Sequence, residues 1–308
     1  MTDKKGTLSN PESTVLNAHV GSRKRIEVSK IYGYKENMEG YLADRSMAFG
    51  GWSEFSCPDT CERHGCTEPG LHITISLVDL ISISLISGRR VSDLFRTDCK
   101  LGFDPLTDLG PWIGRVNVEL KKPCCFLDGR LCDVYLGRPM ACALFPEAHF
   151  VLGQGEALLK KEIFQKFPCL QRPCSIPPRR EEMLFHLLEM TSREVFLSDL
   201  YLFGFSPLVI DLKNLAGEGL EGVPLSQDGK MSLPHHRIES LLTQKLCSGP
   251  FWQEVETKVD QLDQTEGMEG FMRLKPLTDQ MLKQGQGETC QRVYPFDGHR
   301  LQPIRLGR

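Results

Sequence analysis

Ten of the twelve cysteines in this 308-residue chain fall between Cys57 and Cys174. A chain of this length buries a hydrophobic core without covalent staples, so the thiols are not needed to rescue a small fold. Their grouping is therefore read as chemistry. The first group, CPDTCERHGC over 57–66, places Cys57, Cys61 and Cys66 within ten residues. In a reducing compartment such a set serves more economically as metal ligands or redox groups than as disulfides.

Composition supplies the compartment and removes several function classes. The first residues, MTDKKGTLSNPEST, are polar and lack the apolar stretch of about 7–15 residues that a secretory signal needs, so a cytoplasmic location is expected. The most apolar window, ITISLVDLISISLIS at 73–87, holds Asp79 and four serines and is shorter than the roughly 20 apolar residues of a spanning helix. No membrane partner is expected. With 37 basic against 40 acidic residues the net charge is -3, which leaves no electrostatic footprint for nucleic acid.

The expected fold class is α+β. A polar extension over 1–50 precedes a small cysteine-cluster metal-binding core of short strands and helices over 51–178, and a mainly helical region follows over 179–308. Within 73–87, Ile73, Ile75 and Leu77 alternate as in a strand. Ser76 and Asp79 then form an S-x-x-D helix start and Gly88 a helix stop, so a short strand and then a helix are predicted. After CSIPPRR, the segment EEMLFHLLEMTSREVFLSDLYLF carries apolar residues at helical spacing and is read as a long core helix. Further helices are expected near 234–247 and 250–262.

Local geometry can be derived for several thiols. Cys57 precedes Pro58 and Asp59, a helix start, with Gly65 as the stop and Cys66 just beyond it, so all three sulfurs of the first group can converge. In CCFLDGRLCDVYLGRPMACALFP, an Asp128-Gly129 hairpin turn pairs Cys125 with Cys132 and points Cys124 to the other face. Opposed residues stand with Cβ atoms roughly 4.5–5.5 Å apart, which suits two ligands of one metal. Pro139 starts a helical turn that Phe145-Pro146 ends, with Cys142 in its middle. Farther on, FPCLQRPC contributes Cys169 and Cys174. Cys99, Cys124, Cys247 and Cys290 are read as ordinary buried thiols.

These residues resemble the YkgJ-like cysteine-cluster family, described as zinc- or iron-chelating domains. The resemblance rests on C-x-F-L-D-x-x-x-C, here Cys124 to Cys132 with Cys125 as the second residue, and on Y-x-x-R-P-x-x-C-x-x-F-P, here Tyr135 to Pro146, preceded by a cysteine group and an I-x-I-S-x-x-D segment. It covers roughly 55–175. Upstream the chain departs from the family, because CPDTCERHGC lacks the doubled cysteine of C-x-x-C-x-x-C-C. The resemblance implies metal binding, by zinc or an iron-sulfur centre. The flagellin lysine N-methylases carry similar cysteine clusters, but no separate glycine-rich cofactor loop is found in this chain to match that activity.

The candidate ligands are Cys57, Cys61, Cys66, Cys125, Cys132 and Cys142, with Cys169 and Cys174 as additions. Zinc takes four ligands and a [4Fe-4S] cluster normally takes four thiolates, so eight thiols exceed either single site. Lys121, Lys122, Arg130 and Arg138 stand nearby in sequence to offset thiolate charge, and Arg138 can equally be half of a structural ion pair. His64, His72 and His149 are read as hydrogen-bonded residues before ligands, with His64 the best of them. The expected function is a metalloprotein acting on a protein or peptide, by methyl or redox transfer if it is an enzyme. A structural zinc module that presents an interaction surface is the alternative, and a thiol switch at Cys57 a third reading.

Overall fold

The computed structural model describes Tyr41, Leu42 and Arg45 and residues 61–106, 109–171, 176–204, 206–217, 234–283, 292–294 and 304–305. The extension predicted over 1–50, apart from those three residues, lies outside them, as do Cys57, Cys174 and Cys290. The fold is α+β with a mainly helical C-terminal region. Helix α1 (His64–Thr67) leads to α2 (Leu77–Ser87) and α3 (Val91–Asp98), then to the hairpin of β1 (Cys99–Pro105) and β2 (Ile113–Leu120). A small second hairpin follows, β3 (Leu127–Asp128) and β4 (Leu131–Cys132), then the short helices α4 (Met140–Leu144), α5 (Glu147–Val151), α6 (Gly155–Lys160) and α7 (Glu162–Gln165). Helix α8 (Pro178–Phe203), β5 (Leu208–Asp211), α9 (Leu212–Ala216), α10 (His235–Lys245), α11 (Pro250–Gln261), α12 (Thr265–Lys283), β6 (Arg292–Tyr294) and β7 (Ile304–Arg305) complete it.

The larger sheet runs β1-β2-β5-β6-β7. Its β1–β2 ladder pairs Cys99 with Leu120 through to Pro105 with Gly114, and only β5 and β6 run parallel. Strands from both sides of residue 178 thus share one sheet. One hydrophobic core accompanies it, reaching from Ile73 through Leu208 and Ile210 to Phe271.

Helix α2 forms the floor of the cysteine region, and local rules explain its start and end. Ser76 and Asp79 make the reciprocal capping box, with Ser76 Oγ accepting from Asp79 N and the Asp79 carboxylate accepting from Ser76 N. Gly88 closes the helix in the left-handed region at φ 73°. Every residue from Leu77 to Ser84 is buried, as an all-round apolar helix requires. Just before it, Ile75 N donates to Val118 O at 2.9 Å and Leu120 N to Ile73 O at 3.0 Å, so 73–75 lie along β2 like a strand. The predicted strand-then-helix reading matches this path.

Helix α8 spans 26 residues with Pro178 in its first turn, and it packs on α2, α11 and α12. Among the described residues, no helix is long and apolar enough to cross a membrane.

Candidate metal centre

The thiol-bearing stretches are assembled one on another by backbone bonds. Cys66 lies in the middle of α1, where its N–H donates to Arg63 O at 2.7 Å. Gly65 is inside that helix, which continues to Thr67, so the expected stop at Gly65 is corrected. The Cys124 N–H then donates to Cys66 O at 2.9 Å and ties the second cysteine stretch directly to the first. Lys122 Nζ reaches Gly65 O at 2.6 Å, and Arg130 Nη2 reaches Cys61 O at 3.2 Å. Arg63 Nε returns the contact to Arg130 O at 2.8 Å.

The hairpin of 124–132 forms, but in another register than expected. Leu127 pairs with Cys132 and Asp128 with Leu131, which leaves Gly129 and Arg130 as the two loop residues. Gly129 takes the positive φ, 56°, at the first central position, the arrangement of a II′-type turn rather than an Asp-Gly I′ turn. Cys125 therefore does not face Cys132. Residues 124–127 instead close a turn of their own, with Leu127 N donating to Cys124 O at 3.2 Å. Cys125 sits exposed on the outside of that turn, interacting with Asp98 and Cys99, while Cys124 packs against the core that Cys132 and Cys142 also touch.

Helix α4 begins after Pro139 and ends at Phe145, so Cys142 occupies the single fixed turn that the flanking prolines predict. Four half-buried thiols, Cys66, Cys124, Cys132 and Cys142, interact in pairs. A charge on Cys66 or Cys124 acts on Cys142, and one on Cys124 acts on Cys132. Burial is the main cause that pushes the Cys142 thiol up to about 12, with Lys122 and Arg138 opposing the rise. Burial likewise raises the Cys132 thiol, against a bond from the Val134 N–H and the charge of Arg138.

The other candidates are distributed around this group. Cys61 is buried beneath the Arg130 contact. Cys169 belongs to an aromatic cluster with Phe164, Phe167 and Leu170, against which the His64 ring packs at 5.5 Å from Phe167. His72 Nδ1 bonds Glu119 at 2.8 Å and His149 Nδ1 bonds Gln154 at 3.4 Å. Arg138 stands over the Tyr135 ring at 4.0 Å. Cys99 is buried, its Sγ bonding Leu94 O at 3.5 Å, and Cys247 is half-buried. Among the described residues, no three His, Cys, Asp or Glu side chains stand close enough together to hold a metal ion.

Beneath α4 lies a buried ionic centre that the sequence reading missed. Arg45 Nε donates to Glu194 Oε1 at 2.6 Å and Nη2 to Glu194 Oε2 at 3.1 Å, and Arg45 also ion-pairs with Asp79. Ser76 Oγ reaches Glu194 Oε2 at 3.1 Å, and Asp79 Oδ1 accepts the Met140 N–H at 2.9 Å. All three residues are at most 3% exposed. Its one sequence-level signal is Asp79 itself, legible as a cap. No family model, curated protein or solved structure matches the chain.

Proposed function

We propose that this protein is a cysteine-cluster metalloprotein, with zinc or an iron-sulfur cluster as its cofactor and a protein or peptide as its partner, akin to the YkgJ-like proteins. The observation that carries the reading is that Cys124, Cys132 and Cys142 pack against the same core, while the Cys66 carbonyl accepts from Cys124 N and a charge on Cys66 acts on Cys142. Their chemistry fits a thiophilic cation. Four thiolates around one zinc carry a net charge of -2, and Lys122 and Arg138, whose charges already act on Cys142, are placed to offset it. Bound metal would supply a Lewis acid or an electron acceptor held by these thiols. Cys61 lies in the stretch leading into α1 and stands as an additional ligand, with Cys57, Cys169 and Cys174 retained for a second centre. Cys124, the leading cysteine of C-x-F-L-D-x-x-x-C, takes the place that Cys125 held among the candidate ligands. We assign the protein to the cytoplasm, the compartment in which thiols stay reduced and able to hold a metal.

A second reading, a structural zinc module that docks a partner, is favoured by the exposed side chains beside the thiols. Leu131 at the hairpin tip is 73% exposed, and Tyr135 and Ile86 are also exposed. Both readings meet one experiment: anaerobic purification, metal analysis and a visible spectrum for the wild type and for Cys124→Ser, Cys125→Ser and Cys142→Ser. Brown protein with iron and labile sulfide, lost at positions 124 and 142, supports a redox or transfer enzyme. Colourless protein with stoichiometric zinc supports the module, and metal-free protein overturns both.

A further inference from the structure

We infer that Asp79 is the positioning residue of the cysteine cluster, its buried carboxylate fixing the helical turn that carries Cys142 while Arg45 holds that carboxylate in place. The purpose of this positioning rests on the metal-centre reading; the positioning itself rests on geometry alone. Asp79 gathers donors from three distant parts of the chain. Oδ1 accepts the Met140 N–H at 2.9 Å, Oδ2 accepts Ser76 N at 2.8 Å and Ser76 Oγ at 3.1 Å, and Arg45 ion-pairs with Oδ1.

Met140 is the first residue of α4, and Pro139 before it offers no side-chain cap. The first N–H groups of a helix have no partner within it, and Asp79 satisfies this one from another element. Cys142 follows two residues later in a helix of five residues, so the anchoring of Met140 sets where Cys142 points. A second contact fixes the approach to the same turn. A Cβ at Gly137 would come within 2.6 Å of Ser82 O, so residue 137 lies directly on the α2 backbone. The stretch 137–140, which ends two residues before Cys142, is thereby held on α2 at both ends, by a close backbone approach and by a charged acceptor.

Arg45 keeps the acceptor oriented and shares its charge with Glu194. Asparagine at position 79 keeps the shape but one acceptor oxygen only: its amide nitrogen either takes the Oδ2 place and cannot accept from Ser76, or takes the Oδ1 place and opposes the Met140 N–H and Arg45, and in both the charge that Arg45 matches is lost. Loss of an ionised acceptor in a buried bond is worth about tenfold or more in an equilibrium.

The test uses the full chain in two states. In reduced, metal-free protein, residue-resolved alkylation by iodoacetamide should show Cys142 modified about tenfold faster in Asp79→Asn than in wild type, with Cys99 and Cys247 unchanged. In Co2+ titrations the same variant should bind more weakly by a similar factor and lose thiolate-to-cobalt charge-transfer intensity. Adding Asp79→Asn to Cys142→Ser should change the cobalt spectrum no further. Asp263→Asn is the control: Asp263 accepts from Val91 N at 2.8 Å and caps α3, so it should lower the melting temperature without either effect. Should Asp79→Asn fail to fold, Arg45→Lys, which keeps the carboxylate but loosens its clamp, should accelerate Cys142 by a smaller factor. Wild-type alkylation of Cys142 in the folded variant, or equal acceleration of all cysteines in Asp79→Asn and Asp263→Asn, overturns the inference. Absence of Co2+ binding by the wild type overturns the metal-centre reading and leaves the alkylation rates to decide the positioning.

Discussion

Two clusters of ionisable side chains meet at the turn that carries Cys142, and burial pushes acids up in both, against cations placed in different ways. In the Arg45, Asp79 and Glu194 centre the guanidinium lies between two carboxylates, and the remaining acceptors are filled by Ser76 and Met140. One cation serves two anions there. Burial therefore pushes Glu194 up to about 7, with Asp79 adding to the rise and Arg45 opposing it. In the thiol group burial favours the neutral form at Cys132 and Cys142, and the nearby cations Lys122 and Arg138 only moderate it at Cys142. The lesson is that low dielectric raises a buried acid in either setting, and that a cation bonded directly to it, as Arg45 is to Glu194, opposes the rise from within the fold. On this view the first cluster belongs to the stability of the fold, and the second to its chemistry.

The comparison can be broken by substitution. Arg45→Met strands two buried carboxylates and should lower unfolding stability in urea by about 3–5 kcal/mol. Cys124→Ser in metal-free protein should cost less than about 1 kcal/mol, as a small change in a half-buried side chain; equal costs would erase the distinction. For chemistry the order reverses. Cys124→Ser should weaken zinc binding by at least about 100-fold in chelator competition, since even outer-shell partners of a metal site are worth 10–100-fold. Cys125→Ser, on the outside of its turn, should stay within about twofold of wild type.

Two smaller effects sharpen the contrast. Gly137→Ala forces a methyl against Ser82 O and should cost about 1–3 kcal/mol by overpacking, while displacing Cys142 enough to be seen in the Co2+ spectrum. The pH dependence of stability should carry the mark of Glu194. Its folded pKa is raised from 4.5 to about 7, so the native state holds a proton that the unfolded chain has released. Its contribution is fully present below 4.5 and is lost as pH rises through 7, with a slope of at most about 1.4 kcal/mol per pH unit. Glu194→Gln should flatten that slope in urea titrations across this window.

How much of this was legible depended on the range of the interactions involved. Helix α2 could be read from Ser76, Asp79 and Gly88, because caps act within one turn. Helix α4 could be read from Pro139 and Pro146 and α8 from its prolines and apolar spacing, for the same reason. The hairpin shows where that reading stops. Asp128-Gly129 rightly marked a turn, but a glycine serves the first central position of one turn type as well as the second of another. The pairing moved by two residues, and Cys125, expected to face Cys132, is exposed instead.

By itself, then, the sequence determined where the thiols are concentrated, which short helices present them and what caps those helices, all consequences of backbone preferences over a few residues. Only the tertiary structure decided which thiols share a site. The bond from Cys124 N to Cys66 O and the burial of Phe126 in the core select the hairpin register, and neither contact is local in sequence. The same holds for Arg45, whose partner Glu194 lies 149 residues away. A buried charge takes its meaning from the ion that the fold brings to it, and that ion cannot be read from its neighbours in the chain.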